Sequence, residues 1–491
     1  MSVSDAARTA SRGMPPLMSS CVIVVVAMVA AINLALPQLS GSALHPDSTQ
    51  LLWIVDAYIV VFGCLLIPAG AFGDRVGRKG VLLAGLGIFA VGCLASAAAP
   101  DVIVLLVARV VTGLGAALVM PATLSLLLQV TPPERKPHAV AIWTGATGAA
   151  GALGTVGGGL VLQWLPWQGL FLIISFLALA LAAVTAWVAP RGERHPASLD
   201  LAGTALLTAA VLALLIGIVE GPHRGWSSAL VLGSFAAAAL LFAVLIAHTL
   251  RIEHPVLDPR IFSIARLRTG TIGVAAIFLG LFALFFVNAQ FLQYVMGYSP
   301  LVTGLAILPL PIGMILTSRR SIALARRTGE RLIVTGGLAL VAAGLTALSF
   351  VTAATTYPLY GLALLSVSAG MGLSVPSLSA GIMASLPPAR AGMGSGLNSA
   401  AREIGSALGV AIVGTVASSH FASALPASLK QHSGSASQAF DAAHRLGPAA
   451  HAQAVDAFTA AMAAGYQVIA AIVAAAAIVV TLGLRRARPR P

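Results

Sequence analysis

The chain has 491 residues, of which 58% are hydrophobic and 9% are charged, whereas about a quarter of the residues in soluble globular domains are charged. So few polar side chains cannot cover a water-facing surface, and the composition therefore predicts an all-α integral membrane protein. A net charge of +13 would suggest a nucleic-acid partner in a soluble protein, but the basic residues lie in short clusters between apolar segments. We expect these clusters to face membrane lipid, and we expect no nucleic acid to bind.

Fourteen apolar segments, each long enough to cross a hydrocarbon core of about 30 Å, follow one another along the chain. They lie near 18–39, 51–72, 81–99, 102–130, 139–162, 169–190, 200–220, 228–250, 268–295, 300–318, 332–353, 357–383, 394–418 and 457–484. This order predicts a first six-helix half over 18–190, two linking helices within 191–266, and a second six-helix half over 267–484. The three cysteines lie inside apolar segments and the ten histidines show no metal-ligand spacing, so no metal site is predicted.

The basic residues predict the orientation of the helices. If the N-terminal tail 1–17 is cytoplasmic, most of the 28 lysines and arginines fall in alternate, cytoplasmic connections. The same alternation makes 485–491 a second cytoplasmic tail and places the polar stretch 419–456 outside as a long loop. We therefore expect a multi-pass protein of a bacterial inner (plasma) membrane with both termini in the cytoplasm.

A short basic motif occurs once in each half, after the second helix of that half. The stretch Asp74-Arg75-Val76-Gly77-Arg78 has a counterpart in Arg326-Arg327-Thr328-Gly329-Glu330. Two halves related by a parallel repeat predict a cavity at their interface, near the middle of the bilayer. Rocking of the halves would open that cavity to each side in turn, so the pattern favours a transporter.

Few ionisable residues lie at membrane depth, where each costs about 3 kcal/mol or more, and these residues are candidates for function. They are Asp56, Glu403, Arg109 and Arg402, with Glu220 at a helix end. Burial favours the neutral form of a carboxyl and a nearby arginine favours the charged form, which together allow a carboxyl to carry a proton. Arg402 and Glu403 are adjacent and point about 100° apart, so we expect one of them to face the cavity and the other a neighbouring helix.

Each of these residues also has a structural interpretation. Asp56 would then be an interfacial carboxylate beside Trp53 that reaches water, and Glu403 would belong to a satisfied charge network. Arg109 would be a fixed clamp on backbone carbonyls. The sequence leaves both interpretations open.

Two further segments suit movement of the halves. An acid and several basic residues on a glycine-flanked turn can make and break contacts at helix ends as the halves rock. The predicted gating residues are Gly70, Asp74, Arg75, Gly77, Arg78 and Lys79. The fifth helix has glycines at spacings that let backbones approach closely and predict a tight seam, although ordinary small-residue packing gives the same pattern. Its key glycines are Gly145, Gly151, Gly154, Gly158 and Gly159.

Several segments together resemble the major facilitator superfamily, specifically its fourteen-helix drug:proton antiporter group, with quaternary ammonium and multidrug efflux pumps the most similar. The segments are 53–58, 70–79, 109–117 with Met120-Pro121, 145–159, 297–300 and 398–405, so the resemblance covers nearly the whole chain. It implies a proton-coupled exporter of lipophilic neutral or cationic drugs that works by alternating access and contributes to antibiotic resistance. It also implies no enzymatic reaction and no cofactor beyond the proton gradient, and it adds Asn398 to the coupling residues; we expect a monomer.

The sequence departs from that family at three positions. Met28 and Met314 stand where related cation pumps often have aspartates, and Gly154-Thr155 replaces a Gly-Pro pair. Candidates for the cavity lining are Met28, Tyr58, Gln290 and Met314. The residues do not give the direction of transport, so a proton-coupled importer of the same fold stays open as an alternative. Met28 leaves a second alternative, a membrane sensor that does not transport. A membrane-embedded enzyme is disfavoured because no span has a nucleophile–base set.

Overall fold

The structure is a computed structural model that describes residues 3–46, 48–190, 200–253, 255–387, 390–430 and 436–486. The predicted tail 485–491 beyond residue 486, and the start of the linking segment at 191–199, lie outside these residues. The described chain folds into α-helices joined by short connections, and no strand occurs in the described ranges. The helices are α1 Val3–Ser40, α2 Ser48–Val76, α3 Arg78–Ala97, α4 Val102–Val130, α5 Lys136–Trp164, α6 Trp167–Val188, α7 Leu201–Arg224, α8 Ala229–Thr249, α9 Ala265–Gln290, α10 Pro300–Ala306, α11 Pro309–Thr328, α12 Glu330–Leu348, α13 Tyr357–Ala384, α14 Ala391–Ala424, α15 Ala436–Leu446 and α16 Pro448–Arg486.

Fourteen stretches within the described residues are helical, long and apolar enough to cross a membrane, which confirms the predicted number. The tenth is built from two helices, since α10 and α11 together form the stretch Val302–Thr328. Helices are expected here because lipid offers no partner for backbone N–H and C=O groups, so each segment must satisfy its own. The chain is therefore a multi-pass membrane protein.

Helices extend into two segments that were predicted from the sequence to lie outside the membrane spans. The stretch 419–456, predicted as a long loop, contains the end of α14, the whole of α15 and the first turns of α16. Its alanine content favours helix, and α15 packs on the membrane helices through Phe440, whose ring stacks on Phe421 and Tyr294. The predicted tail 1–17 is likewise helical from Val3 onward, because α1 begins well before its apolar part.

The two halves meet along two seams. One seam is formed by α2 of the first half and α14 of the second, and the other by α5 and α11. The linking helix α7 packs against its neighbour α8 and also against both α2 and α14, so it covers the first seam. The connection between α7 and α8 is anchored to α14, where the indole Nε1 of Trp226 donates to the Thr415 hydroxyl at 3.0 Å.

Asp200 fixes the start of the linking pair. Its Oδ1 accepts the backbone N–H of Gly203 at 2.7 Å and lies 2.9 Å from Nε2 of His248, while Oδ2 accepts the N–H of Val256 at 3.1 Å. Burial raises the pKa of the Asp200 carboxyl, but these three hydrogen bonds outweigh burial and leave its pKa below the usual range. The carboxylate therefore stays charged at neutral pH and holds α7 to α8.

Candidate functional site

Asp74 connects the two halves. It lies near the end of α2 and is 5% exposed. Its Oδ1 accepts the backbone N–H of Gly392 at 2.8 Å and its Oδ2 accepts that of Met393 at 3.0 Å. Both donors belong to the first turn of α14, where N–H groups lack partners within the helix and carry partial positive charge. The carboxylate of one half thus caps a helix of the other, and we call this contact the Asp74 latch.

Arg78 completes the latch. Its Nε and Nη2 donate to Oδ1 of Asp74 at 3.1 and 2.9 Å, and both side chains are buried. Next to the latch the backbones touch, because a Cβ added at Gly70 would overlap the carbonyl of Gly392. Gly77 joins α2 to α3 with φ +115°, which side chains with a Cβ rarely adopt.

The other two basic residues of this turn do not join the halves. Lys79 donates from Nζ to the carbonyls of Ala186 and Ala189 at 2.8 and 2.6 Å, which holds the end of α6. Arg75 is partly buried and lies within electrostatic range of Asp74 and Asp200. The predicted gating set therefore divides into a latch and two residues that stabilise the first half and its linker.

The glycines of α5 serve two different interfaces. A Cβ added at Gly154 or Gly158 would overlap α1 of the same half, so these glycines admit a close helix pair. Gly145, Gly148 and Gly151 face the second half instead. Gly148 lies against the thioether of Met314 on α11, whereas Gly159 has open space apart from Leu34.

Arg109 is fully buried within the first half. Its Nε donates to the carbonyl of Ile54 at 2.8 Å, and its Cζ lies 4.7 Å from the ring centroid of Tyr58. The Tyr58 hydroxyl in turn donates to the carbonyl of Val25 at 3.0 Å. Neither Nη1 nor Nη2 of Arg109 has a hydrogen-bond partner in the described part of the chain. Arg109 therefore clamps α4 to α2 and keeps unused donors.

Asp56 and Glu403 both lie along the α2–α14 seam that α7 covers. Asp56 is partly buried on α2 and within electrostatic range of Glu220 on α7. The Cβ of Glu403 lies 3.7 Å from the Cβ position at Gly63, which also faces Leu215 of α7. Among the described residues neither Asp56 nor Glu403 forms an ion pair, whereas Glu220 pairs with Arg224 at 2.5 Å. Two candidate proton carriers thus share one interface.

Arg402 lies on a different face of α14 and is 3% exposed. Its Cζ lies 4.2 Å from the ring centroid of Phe278 on α9 and 5.4 Å from that of Trp143 on α5. One turn earlier, Asn398 is fully buried and accepts the Ser379 hydroxyl at 2.9 Å through Oδ1. The adjacent residues Arg402 and Glu403 therefore face different helices.

The remaining candidates for the cavity lining are dispersed. Met28 is fully buried in α1, and Gln290 at the end of α9 donates to the carbonyl of Phe286 at 3.0 Å. Sequence reasoning missed Asn288, which is fully buried with both amide atoms unpartnered, and Trp143 beside Arg402. An asparagine within an apolar helix was a usable signal, because a buried amide without partners is costly.

The family model of the Major Facilitator Superfamily matches residues 18–410. The chain is 34% identical over 334 residues to the tetracenomycin C resistance and export protein of Streptomyces glaucescens, covering 67% of this chain and 59% of that protein. It is 32% identical to the methylenomycin A resistance protein of Streptomyces coelicolor over 70% of this chain and 72% of that protein. The match to the multidrug efflux pump LfrA of Mycolicibacterium smegmatis is 31% identical and covers 63% and 62%.

Solved structures share the fold. A bacterial homolog of the human lysosomal transporter Spinster, in an inward-facing and unoccupied conformation, superposes with a TM-score of 0.63 at 16% identity over 99% of both chains. A human organic anion transporter also reaches 0.63, at 15% identity, over 98% of this chain and all of its own. At such low identity the likeness concerns the fold alone.

Proposed function

The chain belongs to the major facilitator superfamily, and on that premise we propose that it is a proton-coupled exporter of lipophilic neutral or cationic small molecules, without enzymatic activity. The names of its relatives, which concern antibiotic resistance and multidrug efflux, support export. Partly buried carboxylates at the α2–α14–α7 interface, Asp56 and Glu403, support proton coupling. The Asp74 latch is the observation that carries alternating access, because it joins the two halves through bonds that can be broken and remade.

In the proposed cycle the protein opens to the outside while the Asp74 latch closes the cytoplasmic ends. Asp56 or Glu403 takes up a proton there and the substrate leaves. The latch then breaks, the halves separate on the cytoplasmic side, and the proton is released inside as the next substrate enters. No cofactor is needed, because the proton gradient supplies the energy.

Energetics constrain the stoichiometry of this cycle. A proton moving inward releases about 2.3 kcal/mol per 100 mV, and exporting a monovalent cation consumes the same amount. One-for-one exchange of a cation would therefore leave only the pH gradient as driving force. A cationic substrate therefore favours more than one proton per cycle, which two separate carboxylates would provide, whereas a neutral substrate needs only one.

Accumulation of a lipophilic dye in energised cells tests the function directly. Cells that contain the protein should accumulate less dye than cells with an empty vector, and a protonophore should abolish the difference. Increased accumulation would instead identify an importer. If the protein is present in the membrane and both kinds of cell accumulate the same amount of every neutral and cationic dye, a sensor that does not transport is favoured.

Labelling with an impermeant thiol reagent tests the proposed orientation, in which both termini face the cytoplasm. We expect Ser428→Cys, an exposed position before α15, to react in intact cells, and Arg485→Cys to react only after the membrane is opened. The natural cysteines are buried and are best replaced by alanine: Cys21, Cys64 and Cys93. If Arg485→Cys reacted in intact cells and Ser428→Cys did not, the proposed orientation would be wrong.

A further inference from the structure

Arg402 has buried hydrogen-bond donors that find no acceptor among the residues that the structure describes. The side chain is 3% exposed, and both Nε and Nη1 lack an acceptor. The nearest acid, Glu403, balances part of the charge from a distance but supplies no acceptor atom, because it faces α2 and α7. A guanidinium with unmet donors is costly at membrane depth, so a bound partner that meets them would stabilise it.

Two aromatic rings from opposite halves flank this guanidinium. Phe278 belongs to the second half, as Arg402 does, whereas Trp143 belongs to the first. The Nε1 of Trp143 already donates to the Thr123 hydroxyl at 3.1 Å, so its ring face, and not its N–H, is turned toward Arg402. When the halves separate, Trp143 leaves Arg402, and a flat ring from a ligand can take its place against Phe278.

The same face of α14 presents further donors. Asn398 precedes Arg402 by four residues, which places both side chains on one face, and its Nδ2 is buried without a partner. Ser395, three residues earlier, has a buried hydroxyl that is also unpartnered. A stripe of donors that carries positive charge fits a ligand with acceptor oxygens and negative charge, and it does not fit a cation.

We propose that Arg402, Asn398 and the rings of Trp143 and Phe278 form a substrate subsite for the acidic oxygen of a planar aromatic compound, a phenolate or carboxylate on fused rings. This inference rests on the proposed export function and extends its substrates to weak organic acids. The membrane potential also favours export of an anion. An anion leaving a cell with a negative interior releases about 2.3 kcal/mol per 100 mV, in addition to the energy of the entering proton.

Two dyes with three fused rings and opposite charge test the subsite: resorufin, a phenolate at neutral pH, and pyronin Y, a cation. Everted vesicles or proteoliposomes that contain the full chain should transport both. Arg402→Gln should lower the ratio of resorufin transport to pyronin Y transport by about tenfold or more, mainly through a higher KM for resorufin. Arg402→Lys, which keeps the charge but loses the planar fork, should give an intermediate loss.

Asn398→Ala provides the second variant if neither Arg402 variant reaches the membrane, and it should show the same selective loss of resorufin. Equal loss of both dyes in folded variants, or no loss of either, would overturn the subsite. Transport of pyronin Y without any transport of resorufin by the unmodified protein would also overturn it while leaving the exporter intact. If the protein transported neither of these dyes and no neutral dye, the proposed export function itself would be wrong.

Discussion

Asp74→Ala should reduce transport to below about a tenth of the unmodified rate while the protein still folds and inserts. The substitution removes the acceptor for two backbone N–H groups of α14 and leaves Arg78 buried without its counter-ion. The two bonds to α14 are the part of the latch that joins the halves, and a hydrogen bond to a charged group is worth about 1.5–3 kcal/mol. About 3 kcal/mol changes a two-state population roughly 100-fold, so the halves would rarely close on this side.

Two measurements test this prediction. The first is the transport rate in proteoliposomes, and the second is the distance between spin labels at Arg135→Cys and Arg327→Cys, which reports whether the halves are closed. Both positions are exposed, and they lie on opposite halves beside the hydrogen bond that Arg326 donates to the carbonyl of Glu134. Asp101→Ala is the matched control, because Asp101 also caps a helix but caps its own, accepting the N–H of Val104 at 2.8 Å. That control should cost about 1 kcal/mol of stability and keep transport. A normal rate in Asp74→Ala would show that the latch is dispensable.

Asp56→Asn and Glu403→Gln should each abolish most proton-driven export but retain exchange of substrate for substrate. An amide has nearly the same shape as the carboxyl but cannot titrate, so the binding and rocking steps survive while coupling is lost. The measurements are export driven by an imposed pH gradient, proton movement reported by a pH-sensitive dye, and counterflow of labelled substrate. Asp441→Asn, an exposed acid on α15, is the matched control and should leave all three unchanged.

The two carboxylates need not be equivalent. If Asp56→Asn exports at the full rate while Glu403→Gln does not, then Asp56 has a structural role and Glu403 is the carrier. If both variants retain full pH-driven export, neither carboxylate couples transport, and the proposed mechanism is wrong. Loss of counterflow together with export would instead indicate damage to substrate binding or folding.

The helices and their number could be predicted from the sequence, because each span must be apolar over its whole length and the basic residues alternate between its ends. The helical structure within the predicted loop 419–456 was not predicted, because the stretch is polar overall and only its alanines favour α15 and the first turns of α16. Helix propensity is a weak signal beside hydropathy, so the polar residues there dominated the prediction.

The partners of the candidate site were beyond the sequence. Asp74 was predicted as a gating residue, but its acceptor role toward Gly392 and Met393 joins positions more than 300 residues apart, and the backbone groups involved leave no mark in the sequence. That the side chains of Arg402 and Glu403 point in different directions could be predicted from the helical spacing. Which helices they would face depended on packing of α5, α7 and α9, which local patterns do not report.

The position of α7 gives the linking pair a role beyond connecting the two halves. It lies over the seam that contains Asp56 and Glu403 and adds Glu220 to their surroundings. Without it, acyl chains would reach the side of α2 and α14 where these acids lie, and a charged carboxylate there would meet hydrocarbon. α7 thus separates these two carboxylates laterally from lipid, so that a proton reaching them would have to travel along the seam from one aqueous side or the other. A transporter of this fold without the two linking helices would need another way to give these acids access to water from one side while keeping lipid away from the other.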